Sequence, residues 1–508
     1  MIYPDLDCAE GFFNGEQLKN RVNNTYQKEE IDEAIGNTID YSIGNPGEVG
    51  FGVAPARKEV YEARGLTPYD GHTSRTSPNR GKYLHTASGS VFYHVPKHYF
   101  KTVGNTNYFS DTQQDGYVLD RSFINGGIEL DGVFIFAYEA GNNNGKLTSQ
   151  AGLDPVSTSS AHNPISALDT TPPNRYGGMY QAAKSCDNAA FPTPVWQKTM
   201  LARLAKAHGE ATTSLSICAF SDVAPYHPKG NNNNALADHA DPSVTFTGSG
   251  YSNCALTGSG VPFAKTTHNG QACGISDLNG NMWEACSGMI YRARTGATGT
   301  SGSNAVALAA HGYQAGDKIA FGATPSSCST YNTAVYTVDI VTDADNFTLT
   351  TVLERDILAT DGIYTGKTFY MLKESVDITA LLDDSETAGT GAFDMSLYDQ
   401  VDLSDIINEN GVWKKLGNGT EQVFEFSTDR NSNEYKRTSL GIPRLAGQSA
   451  VGTTEYGNDG IYAYLRHDCV PRSGGSWNAS STAGVGAFAL DLYRTNSRDY
   501  VGLRASII

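Results

Sequence analysis

Three kinds of hydrophobic pattern follow one another along this chain. Residues 89–104, GSVFYHVPKHYFKTVG, are aromatic and partly alternating, the period of half-buried strands. Residues 122–141, SFINGGIELDGVFIFAYEAG, place a turn at Asn125-Gly126-Gly127 before a near-continuous apolar run from Val133 to Tyr138. Such a run suits a strand covered on both faces. Residues 193–209, TPVWQKTMLARLAKAHG, are helical in period: Trp196, Met200 and Leu204 share a face, with Val195 and Leu201 on its flank. Thr193 is the expected N-cap, Pro194 the first helical residue and Gly209 the stop. A weaker helical pattern spans 174–189. Strands mixed with helices predict an α+β class.

The same patterning divides the chain. Residues 1–50 hold one modest helical stripe, Leu18, Val22, Ile31 and Ile35, broken at Asn23-Asn24. It is an attachment or oligomerisation segment or a surface helix on its own domain. After Arg294 the composition shifts through TGATGTSGSNA into alternating runs such as AVYTVDIVTDADNFTLTTVL. We read 296–370 as a small inserted β module between two parts of a larger domain, 51–295 and 371–508. Its HGYQAGDKIAF and YTVDIVTDADNFTLT stretches resemble small β modules of phage tail proteins, where spacing or surface decoration is the implied role. The last segment, FALDLYRTNSRDYVGLRASII, reads by parity as a strand with Phe488, Leu490 and Leu492 inward.

Composition narrows the function classes. A chain of 508 residues exceeds one ordinary core. With 54 Gly and only 18% charged residues it favours turns and short strands over packed helices. A formal net charge of −17 excludes a phosphate backbone or an anionic membrane surface as the expected partner. No apolar run reaches spanning length. The start lacks a basic region followed by an apolar stretch, so synthesis and release in a cytoplasm are expected. The eight Cys form no CxxC pair and read as isolated buried thiols, with a Cys254–Cys273 disulfide as the alternative.

The most specific stretches are GISDLNGNMWEACSG (274–288), RSGGSWNASSTAGV (472–485) and VGLRAS (501–506). Together they resemble the formylglycine-generating-enzyme-like branch of the C-type lectin fold. Within it the chain is similar to variable tail adhesins of phages, including those whose C-terminal repeat is rewritten by diversity-generating retroelements. GYVLDRSFINGGIELDGVFIFAYEA and FPTPVWQKTMLARLAKAHG are similar to that tail-protein group as well. The implied fold is a lectin-like domain over 51–295 and 371–508, carrying the insert and the N-terminal attachment segment.

That resemblance assigns roles at the C-terminus. Gly474, Gly475, Trp477, Ala483, Gly484, Val485, Leu490, Leu492, Val501, Gly502 and Arg504 are the implied framework. The implied receptor-binding residues are Asn478, Ala479, Ser480, Thr482, Phe488, Asp491, Tyr493, Arg498, Asp499 and Tyr500. Tyr and Arg dominate interface energies, and Ser and Asn add adaptable hydrogen bonding. The rival reading is a half-buried sheet edge followed by an ordinary TNSRDY turn. Catalytic relatives use two cysteines after the GGS motif, and 474–508 contains none. Formylglycine-type catalysis is therefore not expected. His467-Asp468-Cys469 is no triad, because strand neighbours point to opposite faces.

No cofactor is expected, with one candidate exception: Asn281 and Glu284 offer the hard oxygens that calcium takes, or else hydrogen-bond a buried loop. The implied partners are a host cell-surface protein or glycan and other virion tail proteins, in a homotrimer on the virion. A structural decoration protein is the alternative. Sequencing around the gene's 3′ end checks the diversified reading. A near-copy of the codons for 474–508, differing only at adenines and beside a reverse transcriptase gene, is expected. Its absence would make the segment a fixed surface.

Overall fold

The computed structural model describes residues 39–212, 218–221, 242–247, 254–260, 266–323, 335–365, 369–381, 395–403, 405, 412–457, 459–463, 468–479 and 482–508. The N-terminal stripe Leu18, Val22, Ile31 and Ile35 lies outside them. Ser42–Ile508 is one compact unit, a strand-rich α+β structure.

The apolar run after the Asn125-Gly126-Gly127 turn becomes the strand Gly132–Phe136, with every residue buried. It sits inside a six-stranded sheet of order Leu66–Pro68, Lys82–His85, Ser90–Pro96, Gly132–Phe136, Ala505–Ile507, Phe191–Pro192. The strand nearest the C-terminus is thus internal. Ser506 lies opposite Ile135 on one side and Phe191 on the other.

A second sheet runs Tyr398–Val401, Phe369–Leu372, Met289–Tyr291, Cys469–Gly474, Gly484–Tyr493, Gly460–Ala463, Val412–Leu416, Gln448–Ser449. Trp283–Ala285 also pairs with Cys469–Gly474 and, in parallel, with Val501–Gly502. The described strands of residues 294–365 build a separate six-stranded sheet, which begins two residues before the expected insert 296–370 and ends before it, since Phe369–Leu372 belongs to the second sheet. It has its own core around Val306, Phe321, Phe347 and Ile363.

The 193–209 pattern forms the helix Val195–Ala211, with different ends. Pro194 itself holds the N-cap position and offers no side-chain cap. The Thr193 hydroxyl pairs instead with that of Ser506, 2.9 Å away, stitching the helix start to the sheet. Gly209 does not stop the helix. A Cβ there would stand 2.6 Å from a Phe220 ring carbon, so its smallness serves packing. The weaker pattern yields a short 3-10 turn, Tyr176–Gly178, and the helix Met179–Cys186. Cys254 and Cys273 are free and buried.

Sheet and helix meet at a buried ionic cluster. Arg504 is fully buried and donates to both Glu284 oxygens, from Nε to Oε2 at 3.0 Å and from Nη2 to Oε1 at 3.0 Å. It also donates to the carbonyls of Phe136 at 2.7 Å and Ser276 at 2.7 Å. Lys198, from the helix, places Nζ 3.0 Å from Glu284 Oε1. Burial alone would raise the Glu284 pKa; Arg504 and Lys198 outweigh it and hold the carboxyl below its usual range.

Removing one member of such a cluster leaves charge buried without compensation, which costs about 3–5 kcal/mol. Arg504→Met is expected to lower unfolding stability by about that amount in urea titrations. A loss below about 1 kcal/mol would place the cluster among the weak ion pairs.

Candidate binding face at the C-terminal strands

Cross-strand register sets which side chains share a face. Trp413 lies opposite Tyr462, Tyr462 opposite Ala489, Ala489 opposite Arg472, and Arg472 opposite Ala285. Trp283, two residues before Ala285, shares that side. Five strands therefore contribute to one row. Ala489 in its middle leaves room for large rings to lie across the strands.

The Trp413 and Tyr462 rings stack at 4.8 Å, and Trp283 and Trp413 at 6.4 Å. Trp283 is buried, as are Trp196 and Trp477, while Trp413 keeps 41% of its surface exposed. The Arg472 guanidinium sits 4.5 Å from the Trp283 ring centre and 5.9 Å from that of Tyr500. Its Nη2 donates to Asp491 Oδ1 at 2.9 Å. Arg472 Nε and Nη1 have no hydrogen-bond partner, although Arg472 is only 6% exposed. The neighbouring Tyr176 hydroxyl is also unpartnered and buried. Burial pushes its pKa up, with Arg472 opposing and Asp491 adding to the rise. The result is a rigid aromatic surface edged by desolvated donors.

The receptor-binding residues expected from sequence divide among several settings. Ala479 and Tyr500 are half-buried and pack with Tyr462 against the core cluster that holds Trp283. Asp491 joins them through Arg472, and Tyr493 is half-buried two residues further along the strand. Asn478 is exposed and accepts from Ser476 Oγ at 2.7 Å. Thr482 is half-buried in the same turn, its N–H donating to Ala479 O at 3.2 Å. Arg498 and Asp499 are half-buried in the following loop, where the Arg498 N–H donates to Thr158 Oγ1 at 2.9 Å. Ser480 lies outside the described residues.

Phe488 requires a correction. It faces the opposite side from Asp491, is 5% exposed and packs with Leu490 and Ile461. The expectation of one buried and one displayed face for this strand fails over 487–490. Ala487 and Ala489 enter one core, Phe488 and Leu490 another. The framework positions are buried. Gly475, at φ +86°, needs its missing side chain, since a Cβ would fall 2.3 Å from that of Ala483. Trp413, Tyr462 and Arg472 were missed from sequence. The available signal was the small-residue alternation Ala487-Phe488-Ala489, which marks room for partners across the strand.

The calcium candidates are committed elsewhere. Glu284 serves Arg504 and Lys198. The Asn281 side chain donates to Glu139 and accepts from the Ala255 N–H at 2.7 Å. A carboxylate neutralised by two cations does not fit a hard divalent ion. Among the described residues, no three His, Cys, Asp or Glu side chains are grouped to hold a metal. The His467-Asp468-Cys469 stretch has His467 outside the described residues. Asp468 accepts from Arg494 at 2.6 Å, and Cys469 is fully buried.

A different trio has the outline of a nucleophile, base and acid. The His85 ring pairs through Nδ1 with Ser88 Oγ at 2.8 Å and through Nε2 with Asp187 Oδ2 at 3.5 Å. Asp187, then Cys186, raise the His85 pKa to about 9. The ring is therefore cationic near neutrality and has no free base to offer Ser88.

That shift fixes a pH dependence. The folded pKa of about 9 exceeds the ordinary 6.5, so the fold binds the proton more tightly than the unfolded chain does. The contribution is complete below pH 6.5, fades through the window up to about 9 and is lost above it. The urea midpoint is expected to fall across that window, with a shallower fall in His85→Gln. Equal slopes would contradict the assignment. Compared with known proteins, the chain matches no protein-family model and no curated protein, so its chemistry is read from this geometry.

Proposed function

We propose that the chain is a non-enzymatic receptor-binding protein of a phage tail or tail fibre. It is built on a C-type lectin-like, formylglycine-generating-enzyme-like fold. The observation that carries this reading is Trp413: an exposed indole stacked against Trp283 and Tyr462 beside the Arg472–Asp491 ion pair. Interface hot spots are of this kind, with Trp, Tyr and Arg anchors held rigid and partly desolvated. Rings fixed before contact lose little freedom on binding. The sequence resemblance implies receptor contact on the C-terminal segment, of which Ala479, Asp491 and Tyr500 adjoin this cluster.

The thiols support the non-enzymatic reading. Segment 474–508 lacks cysteine, and burial pushes Cys286 up to about 12, far from a reactive thiolate. The insert supports assembly with other tail proteins or copies of this chain. Val335, Ile340, Val352 and Leu358 are exposed on it and available to such contacts. In a homotrimer, avidity would raise modest single-site affinity by roughly 10²–10⁴.

The test is binding of the purified chain to host cells. Trp413→Ala is expected to weaken it by at least about tenfold with little change in melting temperature; Asp491→Ala is expected to weaken it as much and also to lower the melting temperature, because it leaves the buried Arg472 without its carboxylate. Protease treatment of the cells separates a protein receptor from a glycan. Undiminished binding by both variants would defeat the proposal.

A further inference from the structure

Three strands that carry the aromatic face meet at one buried carboxyl. Asp459 immediately precedes the Gly460–Ala463 strand, which holds Tyr462. Its carbonyl accepts the Leu416 N–H at 2.9 Å, at the end of the strand that holds Trp413. Its Oδ2 accepts the Gly486 N–H at 2.6 Å, in the strand that holds Ala489 and Asp491. Asp459 is 3% exposed, and Oδ1 has no hydrogen-bond partner. The joint has no slack. A Cβ on Gly484 would stand 1.6 Å from Oδ1, and one on Gly460 would stand 3.0 Å from a Trp413 ring carbon and 2.8 Å from the Thr482 Cβ.

Little around this carboxyl offsets a negative charge. Across a cavity of about 60 Å³, room for a few water molecules only, the helix Val195–Ala211 presents Lys198, Arg203 and Lys206. Each is already paired, with Glu284, with Asp120, and with Glu210 and Glu455. Tyr456, in the turn before Asp459, is a neutral phenol whose pKa burial pushes far up. Residues 485–488, Ser473 and Thr438, on the remaining walls, carry no charge. Burial therefore dominates and raises the Asp459 pKa to about 8, against the Gly486 N–H and half-buried Lys415 on the neighbouring strand.

A buried carboxylate with one hydrogen bond is costly, and strands that part enough to admit water relieve it. We infer that Asp459 is a pH switch on the aromatic face: its neutral acid holds the three strands together, and its ionisation in alkaline medium parts them, unseating Trp413 and Tyr462 and releasing the receptor. The release rests on the receptor-binding reading; the parting of the strands does not. The sign follows from proton linkage. The folded pKa of about 8 exceeds the ordinary 3.8, so the fold holds this proton more tightly than the unfolded chain. The stabilisation is complete below 3.8, declines through that window and is lost above about 8. With only the neutral form presenting the face, receptor affinity falls about tenfold from about pH 7 to about pH 9. His85 loses its proton in an overlapping window. It pairs with Asp187 and Ser88 in the other sheet, so His85→Gln is expected to leave this fall unchanged.

Hydrogen exchange of the full chain, read by mass spectrometry on peptides covering 412–416 and 460–463, tests the switch without a receptor. Wild type is compared at each pH with Asp459→Asn, whose amide keeps the shape of the neutral acid, so the intrinsic exchange rate cancels. Equal exchange at about pH 6 and at least about tenfold faster exchange of the wild type at about pH 9 are expected. Cell binding is expected to fall over that range in the wild type and to stay level in Asp459→Asn. Should Asp459→Asn melt early, Lys415→Gln is the second variant: losing that cation moves the exchange step to lower pH. Equal exchange of wild type and Asp459→Asn at every pH, an unmoved step in Lys415→Gln, or a fall in cell binding shared by Asp459→Asn would overturn the inference. A chain whose exchange follows Asp459 but which binds cells at no pH would support the switch and defeat the receptor reading alone.

Discussion

The Arg504–Glu284–Lys198 cluster is the constraint on which the rest of the structure depends. Its members come from the segment just before Ala505–Ile507, from the Trp283–Ala285 strand and from the Val195–Ala211 helix. Buried charges of this kind are costly unless every partner is in place, so the cluster tolerates one arrangement of these elements. Arg504 also ties down the carbonyls of Phe136, Ser276 and Asp277. With it in place, Ala505–Ile507 is fixed between Gly132–Phe136 and Phe191–Pro192, and the two sheets are joined through residues adjacent in sequence.

From that junction the geometry of the face follows. Trp283 precedes Glu284 and therefore lies on the other side of the strand. There it meets Arg472 and Trp413, while Glu284 turns toward the helix. The Gly484–Tyr493 strand runs beside this junction and has a core against each side. Its central alanines leave space for rings from neighbouring strands. The surface offered to a partner is thus assembled mostly by other segments, and Asp491 contributes by pinning Arg472. On the Phe488 side, Gly484 and Gly486 leave space for the Asp459 carboxyl.

Features that depend on local period were legible in the sequence. The Val133–Tyr138 run, the helix near 195–211 and the alternating strands after 296 can all be read from hydrophobic spacing. The helix ends were not, because Thr193 pairs with Ser506 and Gly209 packs on Phe220; both partners are remote in sequence. Part of the candidate site was legible by resemblance: Ala479, Asp491 and Tyr500 converge on one cluster. Trp413, Tyr462 and Arg472 were not, because register across five strands brings them together and no local window carries it. Phe488 was misplaced for a related reason. Parity puts it opposite Asp491, and a strand covered on both sides displays neither its even residues nor its central odd ones.

The most direct measurement is a hydroxyl-radical footprint of the full chain, free and bound to receptive host cells. Oxidation of Trp413, Tyr462, Tyr493 and Tyr500 in the free chain should fall sharply on binding, while exposed residues of the insert such as Leu358 stay reactive. Protection confined to the insert, or none at the aromatic face, would contradict the account.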